Sequence, residues 1–171
     1  MGKPNTIFLV GMPSSGKSTL GKSLARILGF RFLDTDRLIV QKSQQTIPQL
    51  FELKGEAYFR EVERQVLWEL PKNVSLVVAM GGGLPCFFDN MDVIQRTGIS
   101  VFLDVPVESL AKRIRQHALD DRPLLSNIQD LEAELSRKYE QRLPYYSKAT
   151  LRITEGTTPT ALSRQLQPYF Y

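Results

Sequence analysis

Short, uniformly apolar runs alternate along the chain with longer stretches in which apolar residues recur every three or four positions. Residues 7–10 and 76–79 are continuous apolar runs, and 99–103 is of the same kind but for Ser100, the pattern of strands buried on both faces. Arg31-Phe32-Leu33 reads as another strand ending at Asp34, and residues 151–153 as the last. Leu20, Leu24, Ile27 and Leu28 fall at helical spacing and predict a helix through about Leu28. After Asp34 the pattern is mostly helical, with breaks near Pro48 and at Gly55. Phe59, Val62, Val66 and Leu70 then mark one face of a longer helix that Pro71 stops. Pro106 fits the first turn of a further helix, and residues 131–142 and 161–166 predict two more. Residues 117–127 are polar and poorly periodic and contain Arg122-Pro123, so they predict a mobile surface segment. Strand and helix alternate throughout, without repeats, low-complexity tracts or linkers. That predicts one domain over residues 1–171, a parallel α/β sheet with helices on both faces.

Composition narrows the function. Of 171 residues, 42% are hydrophobic and 23% charged, which excludes a disordered or fibrous chain. The net charge of +4 is spread among acids, with no basic block, so small anionic ligands fit better than nucleic acid. The apolar, uncharged run at residues 74–88 holds three glycines and a proline and is too short to span a bilayer. Residues 1–6 fit a loose myristoylation pattern, but Thr6 leads straight into a strand run, so no lipid anchor is expected. The single cysteine, Cys86, gives no sign of an oxidising compartment, and a cytoplasmic protein is expected.

The strongest chemical signal is Gly11-Met12-Pro13-Ser14-Ser15-Gly16-Lys17-Ser18, a match to G-x-x-x-x-G-K-[ST] between a predicted strand and a predicted helix. The pattern arises by chance in roughly one chain in two hundred of this length. In that context the backbone N–H groups and the helix start face phosphates, Lys17 reaches the β- and γ-phosphates, and Ser18 offers a hydroxyl to Mg²⁺. Asp34-Thr35-Asp36 lies at the carboxyl end of the second strand, the edge of a parallel sheet where ligands gather. Asp34 could serve a metal through water and Asp36 an acceptor hydroxyl. Alternatively, Asp34 only caps the helix that starts near Thr35.

With these motifs in place the chain resembles the shikimate kinases over nearly its whole length. The resemblance rests on residues 11–19, Asp34-Thr35-Asp36, Phe51 with Gly55-Glu56 and Phe59-Arg60, Gly81-Gly82-Gly83, Asp121-Arg122-Pro123-Leu124-Leu125, and Arg142 with Tyr145-Tyr146. It implies a five-stranded parallel sheet of the nucleoside-monophosphate-kinase type, a shikimate-binding region near residues 35–70 and a mobile lid near residues 114–127. It also implies transfer of the γ-phosphoryl of Mg-ATP to the 3-hydroxyl of shikimate, a step toward chorismate and the aromatic amino acids. The expected partner is that small-molecule substrate, with neither nucleic acid nor membrane, and a monomer is expected because the family is usually monomeric.

The resemblance also implies roles. Ser14, Ser15, Gly16, Lys17, Ser18 and Thr19 would hold ATP, with Ser18 and Asp34 serving Mg²⁺. Asp36, Arg60, Gly81, Gly82, Gly83 and Arg142 would hold shikimate, the two arginines gripping its carboxylate through parallel hydrogen bonds. Phe51 and Phe59 would wall the ring, or else only pack the core. Arg60 could instead pair with Glu63 at i+3, and Arg142 with an acid on its own helix, as weak surface pairs. Lys17, Asp36 and Arg122 are the expected catalytic residues, with Arg122 supplying charge to the transferred phosphoryl. Arg113 is expected against adenine, with Arg115 as its rival. A kinase for another small polar acid, such as gluconate, or a nucleotide-driven switch are competing readings. His117 reads as solvated, Cys86 as buried and inert, Trp68 as packing and residues 169–171 as helix docking. Ser14 stands where the family commonly has glycine, so a positive φ there would strain the loop.

Overall fold

The computed structural model describes residues 5–121 and 128–170, with backbone only at 118–121 and 128–129. Five strands, β1 (Thr6–Val10), β2 (Arg31–Asp34), β3 (Leu76–Ala79), β4 (Ile99–Asp104) and β5 (Leu151–Thr154), form one parallel sheet in the order β2-β3-β1-β4-β5. In β1, Ile7, Phe8, Leu9 and Val10 point alternately to opposite faces, yet all are buried. Both faces of the sheet are therefore covered, as the uninterrupted apolar run requires. Burying each such side chain contributes about 1.5–3 kcal/mol.

The helices are α1 (Lys17–Leu28), α2 (Thr35–Ser43), α3 (Ile47–Trp68), α4 (Asn90–Thr97), α5 (Val107–Asp121), α6 (Ile128–Tyr146) and α7 (Pro159–Leu166). The main core gathers the sheet with Leu20, Leu24, Ile94, Leu110 and Leu162. A second, smaller cluster joins Ile39 of α2 to Leu50, Phe59, Val62 and Val66 of α3.

Several boundaries differ from the pattern. The break near Pro48 falls at residues 44–46, between α2 and α3, and Pro48 itself sits in the first turn of α3, where Thr46 and Gln49 form a capping box. Gly55 does break α3, since its backbone leaves the helical region at φ 81° and ψ 170°. Helix α4 has no counterpart in the expected elements, because Met91, Val93 and Ile94 make too short an apolar stripe to announce one. Helix α5 continues through His117 to Asp121, into the segment expected to be mobile, since Ala118 and Leu119 favour the helix. Helix α6 passes Pro144 and ends at Tyr146, whose buried ring, 5.1 Å from that of Phe102, pins the last turn. Trp68, expected to pack, is 50% exposed at the end of α3. Near the carboxyl terminus a 3₁₀ turn (Gln167–Tyr169) follows α7, and Phe170 packs on Phe30 with ring centroids 5.8 Å apart.

Parallel pairing puts the strand ends that matter side by side. Leu9 is in register with Ala79, and Asp34 with Ala79 on the other flank of β3. The phosphate-loop motif, Asp34-Thr35-Asp36 and the triple glycine therefore emerge at one edge of the sheet.

Candidate active site

A cavity of ≈ 690 Å³ opens at that edge, lined by residues 13–20, Asp34, Asp36, Met80 and Gly82 on one side, and by Arg113, His117 and residues 155–157 on the other. All six phosphate-loop residues expected to hold ATP, from Ser14 to Thr19, are among its walls. Lys17 is buried, and its ammonium donates to the carbonyls of Gly11 and Met12, both at 2.8 Å. Burial outweighs the attraction of Asp36 and Asp34 and lowers its pKa to about 8. Ser14 has φ 65°, so the positive φ that would favour glycine is present at this serine.

Asp34 caps α2 and also reaches the phosphate loop. Its Oδ1 accepts from the backbone N–H groups of Asp36 (3.0 Å) and Arg37 (3.3 Å), capping α2, while its Oδ2 accepts from the Ser18 hydroxyl at 2.7 Å. A hydroxyl and a carboxylate at the rim of a phosphate loop form a donor set that suits Mg²⁺, which takes one or two protein oxygens and completes its shell with phosphate and water.

Asp36 stands beside Lys17, Asp34 and Arg60, and burial first, then Asp34, raises its pKa above the ordinary aspartate value. A Cβ on Gly81 would lie 2.8 Å from Asp36 Oδ1, one on Gly82 2.7 Å from Pro13 Cδ, and one on Gly83 2.5 Å from Arg60 Nη1. Each glycine thus admits a different part of the site, and none has a positive φ. Close approach, not turn geometry, requires them. The turn is held from both sides: the N–H of Gly81 donates to Thr35 Oγ1 at 2.8 Å, and the Tyr146 hydroxyl donates to the Gly82 carbonyl.

Arg60 lies behind Asp36, outside the cavity walls. Its Nη1 donates to Glu63 Oε2 at 2.8 Å, and its Nε and Nη2 donate to Glu56 Oε1 at 3.3 and 3.1 Å. The i+3 partner is the one expected of a surface pair, but Glu63 is only 2% exposed. Burial raises the Glu63 pKa to about 7 despite Arg60. Arg60 also stacks over Phe87, 4.0 Å from the ring centroid. Phe59 is buried in the smaller core, whereas Phe51, 4.6 Å from it, is exposed, and neither lines the cavity.

Arg142 projects from α6, and its charge bears on Lys17, Glu63, Cys86 and Tyr146. Among the described residues its Nη1 is buried without a hydrogen-bond partner, so the expected pair with an acid of its own helix does not satisfy it. A buried, unpaired guanidinium nitrogen is costly unless something supplies an acceptor. Cys86 is half-buried, and desolvation pushes its thiol up to about 11, in keeping with an inert residue.

On the other wall, Arg113 donates to the Ser14 carbonyl at 3.2 Å and pairs with Glu155 at 2.7 Å, whereas Arg115 turns to Glu132 of α6. Of the two rivals only Arg113 lines the cavity. His117, expected to be solvated, is exposed and also lines it, one helical turn beyond Arg113. Arg122 lies outside the described residues, as does part of the expected lid. Thr35, Glu63, Phe87 and Glu155 are site neighbours that motif reading passes over. Only Glu63, at i+3 from Arg60, carried a signal.

A family model described as shikimate kinase matches residues 13–167. A shikimate kinase of Parabacteroides distasonis is 40% identical over 147 residues, covering 85% of this chain and 84% of that protein. The crystal structure of shikimate kinase from Bacteroides thetaiotaomicron superposes with a TM-score of 0.84 at 35% identity, over 96% of this chain and 97% of that one. That of shikimate kinase from Acinetobacter baumannii in complex with shikimate gives 0.83 at 35% identity, over 97% and 92%.

Proposed function

The chain belongs to the shikimate kinase family, and from that premise we propose how its own residues carry the transfer of the γ-phosphoryl of ATP to the 3-hydroxyl of shikimate. ATP lies across residues 14–19 with its base toward Arg113. Shikimate lies between Asp36, Arg60, residues 81–83 and Arg142. The observation that carries this reading is Arg142 Nη1, a buried cationic donor without a partner among the described residues, close to the region where Asp36, Arg60 and Lys17 meet. A substrate carboxylate supplies the acceptor that the described residues do not.

Asp36 accepts the hydrogen bond of the attacking hydroxyl, and its raised pKa suits it to take that proton as the phosphoryl arrives. Lys17 exchanges its carbonyl partners for phosphate oxygens and stabilises the charge that moves from donor to acceptor. Ser18 and Asp34 would hold Mg²⁺, which supplies charge neutralisation at the phosphates. Arg122, outside the described residues, is assigned to the phosphates by the family resemblance alone. Holding both reactants in line can contribute roughly 7–11 kcal/mol of the barrier reduction. Gluconate carries a carboxylate too, so the preference for shikimate as acceptor rests on the family match and not on the two arginines alone.

Among the described residues no helix is long and apolar enough to cross a membrane. A monomer working in the cytoplasm is the setting we propose, on the biosynthetic role of the family and the absence of any need for a second subunit to complete this site. Isothermal titration with shikimate tests the reading: the wild-type protein binds it, and Arg142→Ala loses most of that affinity. Retained affinity in the variant would place the carboxylate elsewhere.

A further inference from the structure

The two glutamates on Arg60 are unequal. Glu63 holds Nη1 at 2.8 Å with a side chain 2% exposed, so it is a fixed support. Glu56 takes Nε and Nη2 with a single carboxylate oxygen, and its side chain is 58% exposed. The Nε–Nη2 edge of a guanidinium presents two parallel donors, the pair that a carboxylate ligand prefers. The other approaches to Arg60 are taken. Phe87 covers a face of the guanidinium, Glu63 holds Nη1, and the backbone of Gly83 leaves no room there for even a Cβ. The occupant of the Nε–Nη2 edge is therefore the one that can leave into water at little cost.

The chain around Glu56 is arranged for such an exchange. Gly55, directly before it, sits at φ 81° where the two parts of α3 meet, with open space where a side chain would be. Charge works the same way. Two carboxylates already face one guanidinium, so a third is repelled until one departs or is neutralised. Glu63 is the deeper of the two and the harder to release, which leaves Glu56, on the solvent side, as the competitor that can depart.

We propose that Glu56 is a displaceable stand-in for the substrate carboxylate, occupying Arg60 in the empty enzyme and yielding to shikimate when it binds. The inference rests on the reading of Arg60 given above and deepens it. It makes Glu56 a specificity element acting through Arg60: an acceptor without a carboxylate has nothing to offer in exchange and leaves the arginine capped.

The test is Glu56→Gln, which keeps the side chain's size and removes its charge. Kd and KM for shikimate are expected to fall about 1.5- to fivefold, the range set by the modest strength of exposed ion pairs, while KM for ATP stays in place. Glu63→Gln, which removes a fixed support, is expected to raise KM for shikimate. If Glu56→Gln raises the shikimate Kd, Glu56 orients Arg60 and the proposal is overturned. An unchanged Kd overturns it too. Arg60→Lys separates the two levels of the argument, since it cannot reproduce the two-donor edge. If that variant binds shikimate as tightly as the wild type, the role of Arg60 itself fails, and the exchange falls with it. Weakened binding in Arg60→Lys together with unchanged binding in Glu56→Gln overturns only the exchange.

Discussion

The hydroxyl of Tyr146 donates a hydrogen bond to the carbonyl oxygen of Gly82, so the last turn of α6 is latched to the middle of the glycine turn. Arg142 lies one helical turn before Tyr146 and is set by the same latch. Tyr146→Phe leaves a carbonyl unsatisfied at the junction and should cost about 1–3 kcal/mol of stability. Thermal unfolding should show a lower Tm, and KM for shikimate should rise as Arg142 and Gly82 lose their mutual register. Wild-type values of both would mean that the latch is ornamental.

Arg142→Ala removes the guanidinium whose Nη1 is buried without a partner among the described residues. Truncating one side of a buried, charge-assisted contact costs about 2–5 kcal/mol, so KM for shikimate should rise by roughly one and a half to three and a half decades. KM for ATP should move far less. Because the empty protein is relieved of an unsatisfied donor, Tm should not fall in proportion. Steady-state kinetics with each substrate varied in turn checks the split.

The three glycines should fail differently. A methyl at Gly83 meets Arg60 Nη1, whereas one at Gly82 meets the ring of Pro13 in the phosphate loop. Gly83→Ala should therefore raise KM for shikimate and spare ATP binding, because a flexible side chain gives way. Gly82→Ala should disturb both substrates, because Pro13 is part of a tight loop. Nucleotide titration of the two variants separates them.

Stability should depend on pH through Glu63, whose burial raises its pKa from 4.5 to about 7 against the pull of Arg60. A raised carboxyl pKa favours folding most when the group is protonated. That contribution is complete below about pH 4.5 and is lost as pH rises through about 7. Glu63→Gln removes the dependence. The Tm of the variant relative to wild type should climb between pH 5 and pH 8. A constant difference would show that Glu63 keeps an ordinary pKa beside Arg60.

The parts of this account written locally in the chain were legible in the sequence. Leu76–Ala79 is a strand because four consecutive apolar residues in a parallel sheet are buried on both faces, and the structure gives it those bounds. The phosphate loop declares itself by spacing, and the positive φ at Ser14 was anticipated by the glycine commonly found there. What depended on three-dimensional neighbours was hidden. Glu63 is a surface partner of Arg60 by spacing, and only the packing of α3 turns it inward to 2% exposure. Phe87 follows a 3₁₀ turn (Leu84–Cys86) that has no periodic signature, so its place over Arg60 could not be read. Trp68 looked like core because tryptophan is large and apolar, yet it ends its helix facing solvent. Thr35, between two conspicuous aspartates, drew no notice although its hydroxyl holds Gly81.

Release of ADP from Mg-ATP, followed with shikimate, with gluconate and with neither, tests the central claim most directly. Turnover is expected with shikimate and little above background otherwise, on the proposed grip of Arg60 and Arg142 on its carboxylate and of Asp36 on its hydroxyl; gluconate also brings a carboxylate, but on an open chain. Equal turnover without any acceptor would contradict the claim, and would make the chain an ATP-hydrolysing switch on a kinase scaffold.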